Sequence, residues 1–142
     1  TSFVEIYQNC NIFNDGTFSA IYERSVREDR ILRLKHGEVL VFGKDKNKGI
    51  RMRGLKPVIV DLDKDFNEKD LLIHDQYCED STLANLLSGF DYPDFPVPMG
   101  IFRQVENSTY GEKIEEQIKS QIEEKGVGNL EKLLRGNHAW IN

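Results

Sequence analysis

Apolar and polar positions alternate along this chain in a way that separates three regions. The first opens with Phe3-Val4-Glu5-Ile6-Tyr7, a compact run of β-branched and aromatic residues, which predicts a short, largely buried strand. It runs into polar Gln8-Asn9-Cys10-Asn11, and Asn14-Asp15-Gly16 signals a turn just after. Phe18, Ile21, Tyr22 and Val26 follow at helical spacing and predict a helix or helical turn.

The middle region reads as strands. Ile31–Lys35 and Val39–Gly43 flank His36-Gly37-Glu38, where glycine can take positive φ, so two strands around a tight turn are expected. After the polar, mostly basic loop Lys44–Gly49 come two more strands. Ile50-Arg51-Met52-Arg53 alternates apolar and basic residues, and Lys56–Leu62 carries Pro57 at its start, where a missing N–H does least harm. A small antiparallel sheet is the expected result. Asp63–Asp70 is a charged linker holding Phe66.

The third region turns helical. Leu71–Asp75 leads to Asp80 or Ser81 as a cap, and Leu83, Leu86, Leu87 and Phe90 form one apolar stripe with Gly89 near its end. Asp91–Arg103 holds three prolines and three aromatics. It predicts a stiff extended strap that packs on this domain or on a partner. Thr109-x-x-Glu112 is a capping-box signal. Tyr110, Ile114, Ile118 and Ile122 then recur every fourth residue until Lys125-Gly126 stops the helix. Asn129–Arg135 predicts a second short helix with Leu130, Leu133 and Leu134 on one side, and His138-Ala-Trp140-Ile141 ends the chain.

Composition narrows the function. The 142 residues carry a formal charge of −5 and are 39% hydrophobic, which suits one domain or a piece of a larger one and argues against a general nucleic-acid surface. No apolar run approaches the roughly 20 residues of a membrane helix, and no signal segment opens the chain. Thr1 stands close before a predicted strand, so the chain is expected to be the tail of a longer protein. The two cysteines, Cys10 and Cys78, lie far apart with no CxxC, which suggests reduced thiols in the cytoplasm.

Candidate chemistry is sparse. Cys10 follows a predicted strand, the edge of α/β sheets where ligands bind. It reads either as a small buried hydrophobe or as a thiolate among the amides Gln8, Asn9 and Asn11, which suit a metal–sulfur site. His74, Asp75, Cys78, Glu79 and Asp80 cluster in sequence and invite a metal or redox-sensor reading, but the spacing fits no zinc pattern. Arg24, Arg27 and Arg30 alternate with acids, as on a solvated face, or else meet an anion or a partner. No nucleophile, base and orienting acid assemble, and no phosphate loop or H-E-x-x-H occurs.

Several motifs occur together and in order: QNCNIFNDG (8–16), DRILRLKHG (29–37), FGK and KGIR within 42–51, HD (74–75) and YPDFPVPMGIFR (92–103). With them the chain resembles the C-terminal part of the β subunit of the 2-oxoacid:ferredoxin oxidoreductases, nearest the 2-oxoglutarate type. The resemblance implies an enzyme that oxidatively decarboxylates a 2-oxo acid and gives the acyl group to coenzyme A. Electrons leave through a [4Fe–4S] cluster to ferredoxin. The β subunit of that family carries thiamine diphosphate and magnesium, pairs with an α subunit, and holds its cluster by four cysteines. Cys10 matches the fourth of these, in a loop after a late strand.

The implied fold is α+β. Residues 1–16 form the last strand and loop of the α/β thiamine diphosphate domain, and residues 17–142 a C-terminal extension, a small antiparallel sheet with C-terminal helices. The CxxC, the third cysteine and the glycine–aspartate signature for magnesium and diphosphate are not in this chain. Taken alone it is therefore expected to bind neither cluster nor thiamine and to be inactive. The competing expectation is a non-catalytic docking module in which Cys10 is merely buried.

Overall fold

A computed structural model of the chain describes residues 2–64 and 70–136; Phe66 of the charged linker, His138 and Trp140 lie outside them. The described residues fall into two units, 3–105 and the segment from 106 onward. The fold is mixed helix and strand, as expected of an α+β chain.

The first unit is organised on a three-stranded antiparallel sheet, β2 (Val41–Phe42), β3 (Lys48–Arg53) and β4 (Lys56–Asp61), with β3 in the centre. The β3–β4 ladder is unbroken from Lys48 opposite Asp61 to Arg53 opposite Lys56. Pro57 is tolerated because β4 is an edge strand. On its other side β3 meets Val41 opposite Gly49. Leu71–His74 is drawn in alongside. Leu72 N donates to Ile50 O (2.8 Å), Leu40 N to Leu72 O (2.8 Å) and His74 N to Glu38 O (2.9 Å).

The expected pairing across His36-Gly37-Glu38 does not form. The turn exists, with Gly37 at φ +78° and Glu38 N bonded to Lys35 O (3.1 Å). Its arms diverge because each finds a different neighbour. Glu38–Leu40 takes Leu72–His74, while β1 (Ile31–Arg33) pairs in parallel with β5 (Val97–Met99), Leu32 opposite Pro98. The proline-rich strap thus becomes a strand in a two-stranded sheet, where Pro98 costs little, and Leu34 N extends the ladder to Met99 O (2.9 Å).

The core joins both sheets. Leu32, Leu34, Leu40, Phe42 and Ile50 pack with Leu87 and Phe90, and Leu83, Leu86, Phe95 and Phe102 close around them. Leu87 belongs to α3 (Thr82–Ser88), whose first turn is capped by Asp80, its carboxylate accepting from Thr82 N at 2.7 Å. The strap packs within the molecule, with Phe95 stacked on Phe90 at 4.5 Å.

One expectation near the start is corrected. Phe3–Tyr7 forms no strand and pairs with none among the described residues, and Phe3 is 90% exposed. A strand is stable only when a neighbour takes its N–H and C=O groups. The helical turn expected within Phe18–Val26 is α1 (Ser19–Tyr22), and a turn closed by Val26 N on Glu23 O (3.0 Å) separates it from a second four-residue helix, α2 (Arg27–Arg30). Two of the arginines here, Arg27 and Arg30, meet their own chain. Arg27 pairs with Glu28 at 3.2 Å, and Arg30 donates to Ala20 O and lies over the Tyr92 ring at 4.6 Å.

The second unit holds α4 (Tyr110–Lys125) and α5 (Leu130–Arg135). The capping box forms in full: Thr109 Oγ1 accepts from Glu112 N (3.2 Å), and the Glu112 carboxylate accepts from Thr109 N (2.6 Å). Gly126, at φ +78°, ends α4. Asn129 caps α5 through Lys132 N (2.9 Å). Tyr110, Ile118 and Ile122 remain exposed, as do Leu130, Leu133 and Leu134.

Candidate thiolate site

The loop from Asn9 to Thr17 is tied to itself by polar side chains, and Asn9 is its hub. Asn9 Nδ2 donates to Asn11 Oδ1 and to Asp15 Oδ1, each at 2.8 Å, and Asn9 Oδ1 accepts from Gly16 N at 2.9 Å. Gly16 takes φ +75°, a conformation costly for any residue with a Cβ. Asn14 N closes the loop on Cys10 O (3.0 Å), and Thr17 Oγ1 donates to Asn14 O (2.8 Å).

This bracing turns main-chain donors toward one sulfur. The main-chain N–H groups of Phe13 and Ile12, and to a lesser degree Asn14, lower the Cys10 thiol's pKa below the ordinary thiol value, against an opposing effect of desolvation. The sulfur is exposed rather than sunk among apolar side chains. Hydrogen bonds from fixed N–H groups favour the anionic form. Such a sulfur can act as a nucleophile or as a ligand to a soft metal. Amides near Cys10 were legible in the sequence, but the donors are main-chain groups. Only the Asn-Asp-Gly turn signal hinted that the backbone would curl back over the sulfur.

The other candidates are dispersed. His74 is 1% exposed, its Nε2 at 2.8 Å from Ile101 O. Asp75 turns outward to Tyr77 N (2.9 Å) and to His36 Nδ1 (3.4 Å). Asp80 caps α3, and the carbonyls of Cys78 and Glu79 receive the Arg103 guanidinium. Among the described residues no three His, Cys, Asp or Glu side chains gather as a metal site would need.

Phe3, Val4 and Tyr7 form one wall of a groove of about 660 Å³, with α3 and the Val97–Gln104 segment opposite. Its lining is mostly apolar, with Glu5 and Arg103 as its charged members. Among the described residues no helix is long and apolar enough to cross a membrane.

No protein-family model matches the chain, and no solved structure matches it. A curated protein does. The chain is similar to KorB. It is 30% identical over 145 aligned residues to the 2-oxoglutarate oxidoreductase subunit KorB of Mycobacterium tuberculosis, a match covering 96% of this chain. The chain spans 37% of KorB's length. The family resemblance read from the motifs is thereby borne out, over nearly all of the residues given.

Proposed function

We propose that this chain is the C-terminal part of the β subunit of a 2-oxoacid:ferredoxin oxidoreductase acting on 2-oxoglutarate, and that Cys10 is one of four thiolate ligands of its [4Fe–4S] cluster. The KorB likeness supports the subunit. The observation that carries the site is the exposed Cys10 in a loop braced by Asn9, where the main-chain N–H groups of Phe13, Ile12 and Asn14 lower its pKa. Those groups do two things for a bound iron: they favour the deprotonated ligand, and they draw charge off the sulfur. A cluster held there supplies one-electron storage between the oxidised substrate carbon and ferredoxin.

The chain's own part is positional. Asn9 fixes the loop so that the sulfur needs no rearrangement to ligate, and exposure leaves room for the other three cysteines. A single thiolate has no chelate partner, so residues 1–142 alone hold no cluster and have no activity. No residue here is assigned to thiamine diphosphate or magnesium, which belong to the rest of the subunit. Residues 1–16 then close the thiamine diphosphate domain, and 17–142 form the extension that meets the α subunit in a cytoplasmic complex. Coenzyme A and the 2-oxo acid are taken up by that complex.

The test is Cys10→Ser in the full-length, reconstituted complex. The expected result is loss of the broad visible absorbance of the iron–sulfur centre together with ferredoxin-linked turnover. A variant with unchanged spectrum and turnover removes Cys10 from the ligand set and leaves a docking module.

A further inference from the structure

The β3–β4 hairpin gathers a charge opposite to that of the rest of the chain. From Lys46 to Val60 there are five cationic side chains, Lys46, Lys48, Arg51, Arg53 and Lys56, and no acid. The whole chain carries −5, so with these five positive charges set aside the remainder carries −10. Lys48 is paired with Asp29 at 3.2 Å. The apex is different. Register places Arg53 directly opposite Lys56 on one face, with Arg51 two positions back on that face. Arg53 and Lys56 are exposed and form no ion pair with a described residue.

Like charges facing each other across a ladder weaken it. The fold therefore gains nothing from this pair. Between them Gly54 takes φ +62°, as the first central residue of a two-residue hairpin turn, and Leu55 follows with 95% of its surface exposed. An apolar side chain flanked by two unpaired cations, at the tip of a continuously paired hairpin, has the anatomy of half an interface: an apolar anchor with a charged rim that steers the encounter.

We propose that the Arg53–Lys56 apex docks on an acidic patch of a partner protein, with Leu55 entering an apolar recess there. Nucleic acid fits less well, because residues 46–60 contain no aromatic ring on which a base could stack. A membrane fits less well too, because one leucine buries far less than a single acyl chain, which itself anchors only marginally.

The full-length protein is tested in its own cells, with a benzophenone amino acid replacing Leu55 in one strain and exposed Glu23 in another. Irradiation at position 55 should give a protein adduct whose cross-linked peptide is acidic. Its yield should exceed that at position 23 and fall at least tenfold when Arg53→Glu and Lys56→Glu are added. The neutral pair Arg53→Gln with Lys56→Gln removes the repulsion in the ladder, so it should fold as well as the parent and still lose most of the adduct. Equal yields at the two positions, an adduct to nucleic acid or lipid, or a yield indifferent to the charge changes overturns the proposal.

Discussion

Replacing Gly100 by alanine should cost the first unit about 1.5–4.5 kcal/mol, as the sum of a backbone and a contact effect. Gly100 sits at φ +136°, where an added Cβ would lie 2.9 Å from the Leu34 carbonyl oxygen and 3.1 Å from Leu34 Cβ. Holding an L-residue in such a conformation costs about 1–3 kcal/mol. Relieving the contact means lifting the strap from β1, which stretches the Leu34 N–H bond to Met99 O, now 2.9 Å. A bond of that kind contributes about 0.5–1.5 kcal/mol net. The control is Gly37→Asn. Gly37 also has positive φ, +78°, but nothing lies within 4 Å of its Cβ position. Asparagine adopts the left-handed region readily, so the control should lose under about 1 kcal/mol. Urea unfolding of the purified chain, followed by far-ultraviolet circular dichroism, measures both. Equal losses, or a Gly100→Ala loss below about 0.5 kcal/mol, would refute the close approach as the reason for glycine there.

Two further outcomes follow from the hydrogen-bonded loops and caps. Alkylation of Cys10 by iodoacetamide, followed by mass spectrometry across pH, should show a lower midpoint in the folded chain than in urea, because the loop N–H groups favour the thiolate. Asn9→Ala should raise that midpoint, and coincident folded and unfolded midpoints would end this account of the site. The Glu112 carboxyl is held below its ordinary value by the N–H and hydroxyl of Thr109. Its contribution to α4 is therefore fully present above the unfolded glutamate value and lost as pH falls through the lowered one. The protection factor for amide exchange at Glu112, taken against the intrinsic rate at each pH, should fall in that acid range. Thr109→Ala should cost about 0.5–2 kcal/mol at neutral pH and reduce the pH dependence without abolishing it, because the main-chain N–H of residue 109 still donates to Glu112.

What could be read in the sequence was mostly local. The β3–β4 hairpin, the Thr109–Glu112 box, the Asp80 cap and the glycine ends of α4 and α5 each depend on residues a few positions apart, and each formed where expected. The β1–β5 pairing could not be read that way. Ile31–Lys35 looks equally suited to an antiparallel neighbour just downstream, and only the packing of Leu32, Leu87 and Phe90 decides between them. Phe3–Tyr7 has the composition of a buried strand, but composition does not supply the second strand it needs. At the candidate site Cys10 itself was legible. The donors that set its charge were not, because main-chain N–H groups carry no residue signature. His74 stood out in sequence as a possible ligand, but its environment is made by Ile101, far along the chain.

The parallel partnership of Leu32 with Pro98 also has a consequence for synthesis. A nascent polypeptide emerges from its amino end, so the helix, hairpin and leucines made first must wait, unsealed, until the strap has been translated. Any release of the chain before Met99 leaves Leu32 and Leu34 with water where a strand belongs. Premature termination anywhere upstream of the strap should thus yield a sticky, protease-sensitive product rather than a smaller stable one.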